Sequence, residues 1–205
     1  MATDGNRFRE GNYAPLGMEC DAPHVTVVGE LPKALNGTLY RNGPDPQFPA
    51  ADPRRDHWFL GDGMIHAFML KDGKASYRNR WVRTGRWLAE NAAGQALGGG
   101  FGSGRAATYQ DTGIANTNIL RHAGRLLALE EQHLPMELDP VSLATRGVQS
   151  FDAGLRGPFT AHPKTDAETG ELVFFGYAAD GPLSAGLPPP YCDFCSPHPC
   201  RAICT

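Results

Sequence analysis

Tight-turn signals between short strand-like runs constrain the fold of this chain more than any other feature. MIHAFML and KASYRNRWV flank a Lys-Asp-Gly turn at 71–73, and NTNILR and RLLALEE flank a His-Ala-Gly turn at 122–124. An extended TAHP leads through a polar turn at 166–170 into ELVFFGYA. Glycine supplies the positive φ that such turns need. The pattern predicts three β-hairpins.

Helical signals are weak by comparison. No segment of a dozen residues keeps a 3.6-residue apolar period with capping residues. RLLALEEQHLPMEL looks helical at first, but Gly124 opens it as a turn and Pro135 interrupts it. HVTVVG and GTLYRN are two more predicted strands, and the 25 glycines and 17 prolines suit many turns. The sequence therefore predicts an all-β chain.

Charge and hydropathy exclude several classes of protein. The 19 basic and 22 acidic side chains leave a net charge of -3, without the basic excess of a nucleic-acid-binding protein. No apolar run approaches the ~20 residues of a membrane span, and MATDGNRFREGNYAPLG lacks the order of a signal peptide. A cytoplasmic protein is expected. GGGFGSG at 98–104 has no Gly-Lys-Ser/Thr ending and is interpreted as a flexible loop rather than a phosphate-binding loop.

Six stretches, in the same order along the chain, resemble the carotenoid cleavage oxygenases, with the lignostilbene-type and apocarotenoid-cleaving members most similar. The resemblance covers about residues 12 to 182. One departure is Leu60, where the family motif usually reads Trp-Phe-Asp-Gly-Asp-Gly; only a local effect is expected. The stretches are NGTLYRNGP (36–44), HWFLGDGMIHAF (57–68), NRWVRT (79–84), NTNILRHAGRLLALEE (116–131), ELDPVSLATRG (137–147) and FTAHPKTDAETGELVFFGY (159–177).

The resemblance implies a seven-bladed β-propeller with a non-haem ferrous ion, Fe(2+), that four histidines hold on the propeller axis. Such an enzyme uses O2 to split a conjugated C=C bond of a carotenoid, apocarotenoid or stilbene-type substrate. The histidine of the Ala-His-Pro-Lys motif, here His162, is then the first iron ligand. Pro163 disfavours a helical backbone at His162, the residue before it, and so favours an extended conformation there. Glu131 matches the glutamate that accepts the N–H of a ligating imidazole and raises its basicity.

Plainer interpretations exist for each of these residues. A histidine at a strand end is usually a surface or hydrogen-bonded residue, and Glu131 could be a solvated strand residue. His66 is not a ligand in the family pattern and is expected to be structural, while Asp62 is expected to cap backbone N–H groups in a Gly-Asp-Gly turn. Three more histidines are expected to be structural or exposed: His57, His122 and His133.

Length raises a separate expectation. Seven blades of roughly 40 to 50 residues need about 300 residues, and the chain has 205. Residues 1–182 are therefore interpreted as the N-terminal part of a propeller, and only His198 follows His162 among histidines. One imidazole cannot hold Fe(II) tightly, so this chain is predicted to be an incomplete, aggregation-prone fragment with little or no dioxygenase activity.

The segment 183–205 is predicted to be a tail unrelated to the family. Zinc binding by its cysteines and histidine is one interpretation, and translation in a shifted reading frame is the favoured one. For the whole chain, a non-enzymatic β-propeller-like binding fragment is the alternative to an oxygenase. The expected partners are a small conjugated alkene and O2, without nucleic acid, and membrane contact stays open. The residues of the zinc interpretation are Cys192, Cys195, His198, Cys200 and Cys204.

Overall fold

Strands dominate the part of the chain that the structure describes, as the sequence predicts. The computed structural model describes residues 7–52, 54, 56–97, 112–152, 155, 158–176 and 200–202. The strands are β1 (Cys20–Val25), β2 (Gly37–Pro44), β3 (Gly63–Lys71), β4 (Lys74–Trp81), β5 (Asn118–His122), β6 (Arg125–Leu129), β7 (Met136–Leu138), β8 (Thr145–Val148), β9 (Lys164–Thr165), β10 (Leu172–Phe174) and β11 (Cys200–Ala202). The helix α1 spans Gly85–Ala93.

The first sheet has the strand order β1-β4-β3-β2, and all its neighbours are antiparallel. The β3–β4 hairpin turns at Asp72 and Gly73, whose φ angles are +52° and +75°. Both central residues therefore have the positive φ of a type I′ turn. This confirms the first predicted hairpin. The predicted strand HVTVVG is wrong beyond Val25, because β1 lies earlier, at residues 20–25.

The second sheet is an antiparallel meander with the order β5-β6-β7-β8. Ala123 and Gly124 form the β5–β6 turn with φ angles of +46° and +79°. RLLALEEQHLPMEL contributes β6 and β7 rather than a helix. Both predictions for this region are confirmed.

The third sheet contains the third predicted hairpin, but its first strand is β9 at 164–165 rather than the predicted TAHP at 160–163. β9 pairs antiparallel with β10, and β10 also pairs in parallel with β11. The turn closes through hydrogen bonds from Asp166 N–H to Glu171 O and from Gly170 N–H to Asp166 O. Most of the predicted tail, residues 183–199 and 203–205, lies outside the described residues.

The helix α1 was not predicted. Thr84 accepts the Trp87 N–H at 3.1 Å as N-cap, and Gly94 at φ +65° ends the helix in left-handed conformation. Both are ordinary capping signals. A nine-residue helix is too short to show a sustained apolar period. In the described part of the chain, no helix is long and apolar enough to cross a membrane.

The three sheets pack face to face through β6, which is buried on both sides. Leu126 and Ala128 of β6 join the apolar cluster shared with the first sheet. Leu127 and Leu129 point to the opposite face and join the cluster shared with the third sheet, because side chains alternate along a strand. All four have at most 1% exposed surface. The second sheet is therefore the middle layer.

Two asparagine side chains link β2 to β5 and β5 to the segment just before β9. β2, β5 and β9 each lie at a sheet edge. Asn42 of β2 donates from Nδ2 to Ala115 O and Asn118 O, both at 2.8 Å. Asn118 of β5 donates from Nδ2 to Ala161 O at 2.7 Å. These bonds place β2 beside β5, and β5 beside the segment that leads into β9, and residue 162 follows directly after the last of them.

Candidate metal centre

His162 emerges from the core at the shared edge of the sheets. Phe159, Thr160 and Ala161 are completely buried. His162 follows them at a bend two residues before β9, and its side chain is 62% exposed. The hydrogen bond from Asn118 to the Ala161 carbonyl anchors the backbone immediately before the imidazole. An exposed imidazole on a fixed backbone suits a ligand or binding role.

Glu131 comes from a different sheet and meets His162 there. It lies two residues beyond the end of β6. Its Oε1 is 3.4 Å from His162 Nε2, and its Oε2 accepts the Thr160 hydroxyl at 3.2 Å. The 3.4 Å separation is longer than a typical N–H···O bond of 2.7–3.2 Å. It is a close pairing of carboxylate and imidazole, and it brings together the two residues that the resemblance singled out.

Sequence reasoning did not identify the third member of this group, Thr160. Its hydroxyl accepts the backbone N–H of His162 at 3.1 Å in addition to contacting Glu131. One signal could have indicated it. A threonine hydroxyl can accept the backbone N–H of the residue two positions further on, so a threonine two residues before His162 is placed to hold the backbone of His162.

The remaining histidines have structural contacts. His66 in β3 contacts the Tyr77 hydroxyl through Nδ1 at 2.7 Å, and burial lowers its pKa. His57 caps a short 3-10 helix by accepting the Phe59 N–H at 3.1 Å. His133 pairs with Glu130, and His122 is buried at the end of β5. These contacts agree with the structural roles predicted for them.

Asp62 is buried directly before β3. Its Oδ2 accepts the backbone N–H of Gln47 at 3.0 Å, so it does bind backbone, but fifteen residues away. Burial raises its pKa, and the Arg86 guanidinium partly opposes that shift. The predicted turn is incorrect, since Gly63 already begins β3. Asp62 therefore has a structural role in the first sheet.

The described residues supply part of a metal centre. Among them no group of three or more His, Cys, Asp or Glu side chains could hold a metal ion. The His162–Glu131 pair fits one imidazole ligand and the carboxylate that orients it, because a ligating histidine commonly donates its other ring N–H to a carboxylate. With Nε2 toward Glu131, Nδ1 is left to ligate. The zinc interpretation concerns side chains outside the described set.

Comparison with known proteins gives consistent matches over most of the chain. The family described as retinal pigment epithelial membrane protein matches residues 13–191. Isoeugenol monooxygenase of Pseudomonas nitroreducens is 44% identical over 83% of this chain and 36% of its own length. Carotenoid cleavage oxygenase 1 of Neurospora crassa is 42% identical over 83% of this chain and 33% of its own length.

The structural comparison agrees with the sequence comparison. The crystal structure of the Pseudomonas brassicacearum lignostilbene dioxygenase superposes with a TM-score of 0.82 at 36% identity, covering 88% of this chain and 38% of that one. This chain thus spans about a third of the length of the curated relatives that it matches. The family match and the shared β architecture show that the chain belongs to the retinal pigment epithelial membrane protein family, which includes the carotenoid cleavage oxygenases and lignostilbene dioxygenases.

Proposed function

We propose that this chain is the N-terminal part of a non-haem Fe(II) dioxygenase that cleaves a conjugated C=C bond of a carotenoid, apocarotenoid or stilbene-type substrate. His162 is one imidazole ligand, and Glu131 is the carboxylate that orients it. Relatives named for isoeugenol, lignostilbene and carotenoid support this substrate class. The chain covers 36% of the length of isoeugenol monooxygenase. We therefore assign the activity to the whole protein and not to this chain alone.

One observation carries the proposal. Glu131 and His162 come from different sheets, yet the carboxylate and the imidazole lie 3.4 Å apart. The imidazole is mostly exposed, while the backbone beside it is buried and hydrogen-bonded. An exposed contact between a carboxylate and an imidazole adds little stability, so stability alone is a weak reason to hold the two groups together. A ligand and its orienting partner account for the arrangement.

The chain's residues have defined parts in this function. Ferrous iron, when bound, supplies the O2 activation that alkene cleavage requires. The imidazole of His162 offers a nitrogen donor of the type that suits iron. Glu131 accepts the N–H of the other ring nitrogen, selects the tautomer and brings negative charge close to the site. The Asn118 bond to the Ala161 carbonyl fixes where the imidazole leaves the backbone.

The fold supports the finer proposal of a partial seven-bladed propeller. Two antiparallel sheets of four strands are complete in the described residues, and each has the strand number of a propeller blade. In the third sheet, as in the second, the first strand in sequence lies at an edge and forms a hairpin with the strand that follows it. In a propeller, each blade turns one edge toward a central channel. This proposal places β2, β5 and β9 at that channel.

A non-enzymatic binding fragment remains the alternative. It needs the same scaffold but no role for the His162–Glu131 pair. The oxygenase names of the relatives favour the enzymatic proposal. The two differ in whether His162 affects iron content.

A chimera tests the proposed function. Residues 13–176 of this chain replace the matching segment of the Pseudomonas brassicacearum lignostilbene dioxygenase, which supplies the remaining two thirds of the protein. Iron content near one atom per chain and O2-dependent cleavage of a stilbene, isoeugenol or an apocarotenal are expected. His162→Ala lowers both, and His24→Ala, which removes an exposed histidine of β1, changes neither.

Two results would contradict this proposal. A folded chimera in which the His162→Ala variant keeps full iron content and activity removes His162 from the metal centre. Near-stoichiometric iron and alkene cleavage by the 205-residue chain alone would overturn the prediction that it is incomplete.

A further inference from the structure

We propose that Thr160 is a positioning residue of the candidate metal centre, whose hydroxyl holds the Glu131 carboxylate and the His162 backbone in a fixed relation. This inference rests on the proposed function of His162 and extends it to a residue buried beneath the site. Thr160 touches neither substrate nor metal in this role; it acts through its two neighbours.

The polarity of the two hydrogen bonds is determined by chemistry. A hydroxyl has one proton to donate and two lone pairs to accept with. The His162 N–H is a donor, so Thr160 Oγ1 accepts it at 3.1 Å. Glu131 Oε2 is an acceptor, so the hydroxyl proton points to it at 3.2 Å. Both bonds can form at once, and together they orient the hydroxyl.

Burial makes this hydroxyl a rigid reference point. Thr160 is completely buried between two other completely buried residues, Phe159 and Ala161. Its backbone N–H donates to Phe175 O at 2.9 Å. Thr160 is therefore held by both its backbone and its surroundings. Glu131 and His162, by contrast, have side chains that are 33% and 62% exposed, and they gain a fixed geometry from this contact.

Loss of the hydroxyl has two linked effects. Glu131 Oε2 loses its buried donor, so the carboxylate keeps only the 3.4 Å approach of Oε1 to the imidazole among these three residues. The His162 N–H loses its acceptor at the same time. Removing an outer partner of a metal-ligating histidine typically lowers metal affinity 10- to 100-fold. A shift at the lower end, roughly 10-fold, is expected for this indirect partner.

Matched threonine variants of the 205-residue chain test the inference. Thr160→Val deletes the hydroxyl at nearly constant shape, Thr160→Ser keeps it, and Thr160→Ala is a second deletion that avoids the added methyl group. Thr84→Val is the control, because Thr84 is equally buried and its hydroxyl caps α1 instead. Any effect shared by the Thr84 and Thr160 variants reflects stability alone.

Two NMR measurements provide the readout. Without metal, hydrogen exchange at the His162 amide and the cross-relaxation between the His162 ring and Glu131 report the two hydrogen bonds. With Co²⁺ as a paramagnetic probe that also accepts imidazole ligands, broadening of the His162 ring signals reports weak metal binding. We expect faster exchange, weaker cross-relaxation and roughly 10-fold weaker Co²⁺ binding in Thr160→Val and Thr160→Ala, with wild-type behaviour in Thr160→Ser and Thr84→Val.

The outcomes separate this inference from the proposed function. If His162→Gln leaves Co²⁺ broadening around Glu131 unchanged, the proposed metal centre fails. The role of Thr160 alone is overturned by a second result. In that result His162→Gln abolishes the Co²⁺ broadening, while folded Thr160→Val and Thr160→Ala show the amide hydrogen exchange and Co²⁺ affinity of the wild type. A Thr160→Ser variant that behaves like Thr160→Val also overturns it, because the hydroxyl would then not be the group that matters.

Discussion

Leu127→Ala should loosen the candidate metal centre, and Leu126→Ala should not, although both remove the same atoms from the same strand. The two leucines are neighbours in β6 and are both completely buried. Leu126 belongs to the cluster shared with the first sheet, and Leu127 to the cluster that contains Phe159 and Ala161. The pair therefore separates general stability from support of the segment that carries His162.

The expected magnitude follows from burial. A fully buried leucine cut to alanine loses its transfer free energy and leaves a cavity, which together cost about 3 to 5 kcal/mol in well-packed cores. Because each leucine contacts a complete apolar cluster, we expect each variant to lose about 3 kcal/mol of unfolding free energy. That is a large fraction of the 5 to 15 kcal/mol of a typical domain.

Urea unfolding and amide hydrogen exchange together measure the prediction. Phe159 N–H and Thr160 N–H donate to His133 O and Phe175 O, so their exchange rates report opening of this segment. At equal global stability, Leu127→Ala should accelerate the exchange of these two amides more than Leu126→Ala does. The reason is that a segment opens locally more often when the packing against it is weakened. Equal exchange in the two variants, or a cost below about 1 kcal/mol for Leu127→Ala, would refute the reasoning.

Two further predictions concern the first sheet and α1. Gly63→Ala should cost about 3 kcal/mol or more in urea unfolding, because an added Cβ would lie 2.2 Å from a carbonyl oxygen in the segment before β5; Gly43→Ala, with no atom within 4 Å, is the control, and equal effects would contradict this. Arg86→Met should cost about 3 kcal/mol because Arg86 Nε lies 3.1 Å from the fully buried Glu90 carboxylate. Arg54→Met breaks an exposed ion pair with Asp52. In the same urea unfolding it should cost at most about 1 kcal/mol.

Local signals explain most of what the sequence predicted about the fold. The hairpins at 71–73 and 122–124 were predictable because residues inside each turn set its φ angles. The helix α1 was missed although Thr84 and Gly94 are ordinary caps, because its nine residues are too few to show a sustained apolar period. The strand β1 was misplaced because Val27 and Val28 look strand-like yet lie exposed outside it.

Long-range contacts explain what the sequence could not show. Asn42 and Asn118 bind carbonyl groups 43 to 76 residues away, and nothing in the neighbouring sequence specifies such partners. Glu131 and His162 were paired only through resemblance to a family, and their function as a metal centre stays a prediction. The contribution of Thr160 depends on a carboxylate 29 residues earlier in the chain, which the sequence around Thr160 does not specify.

The asparagine bonds between sheet edges have a consequence for how variation is tolerated. Each bond adds a polar link to the apolar packing between the sheets, and together the two bonds connect β2 through β5 to the backbone beside His162. Substitutions at Asn42, far from His162 in sequence, should change the geometry of the candidate centre, whereas exposed outer strands such as β1 can vary with little effect on it.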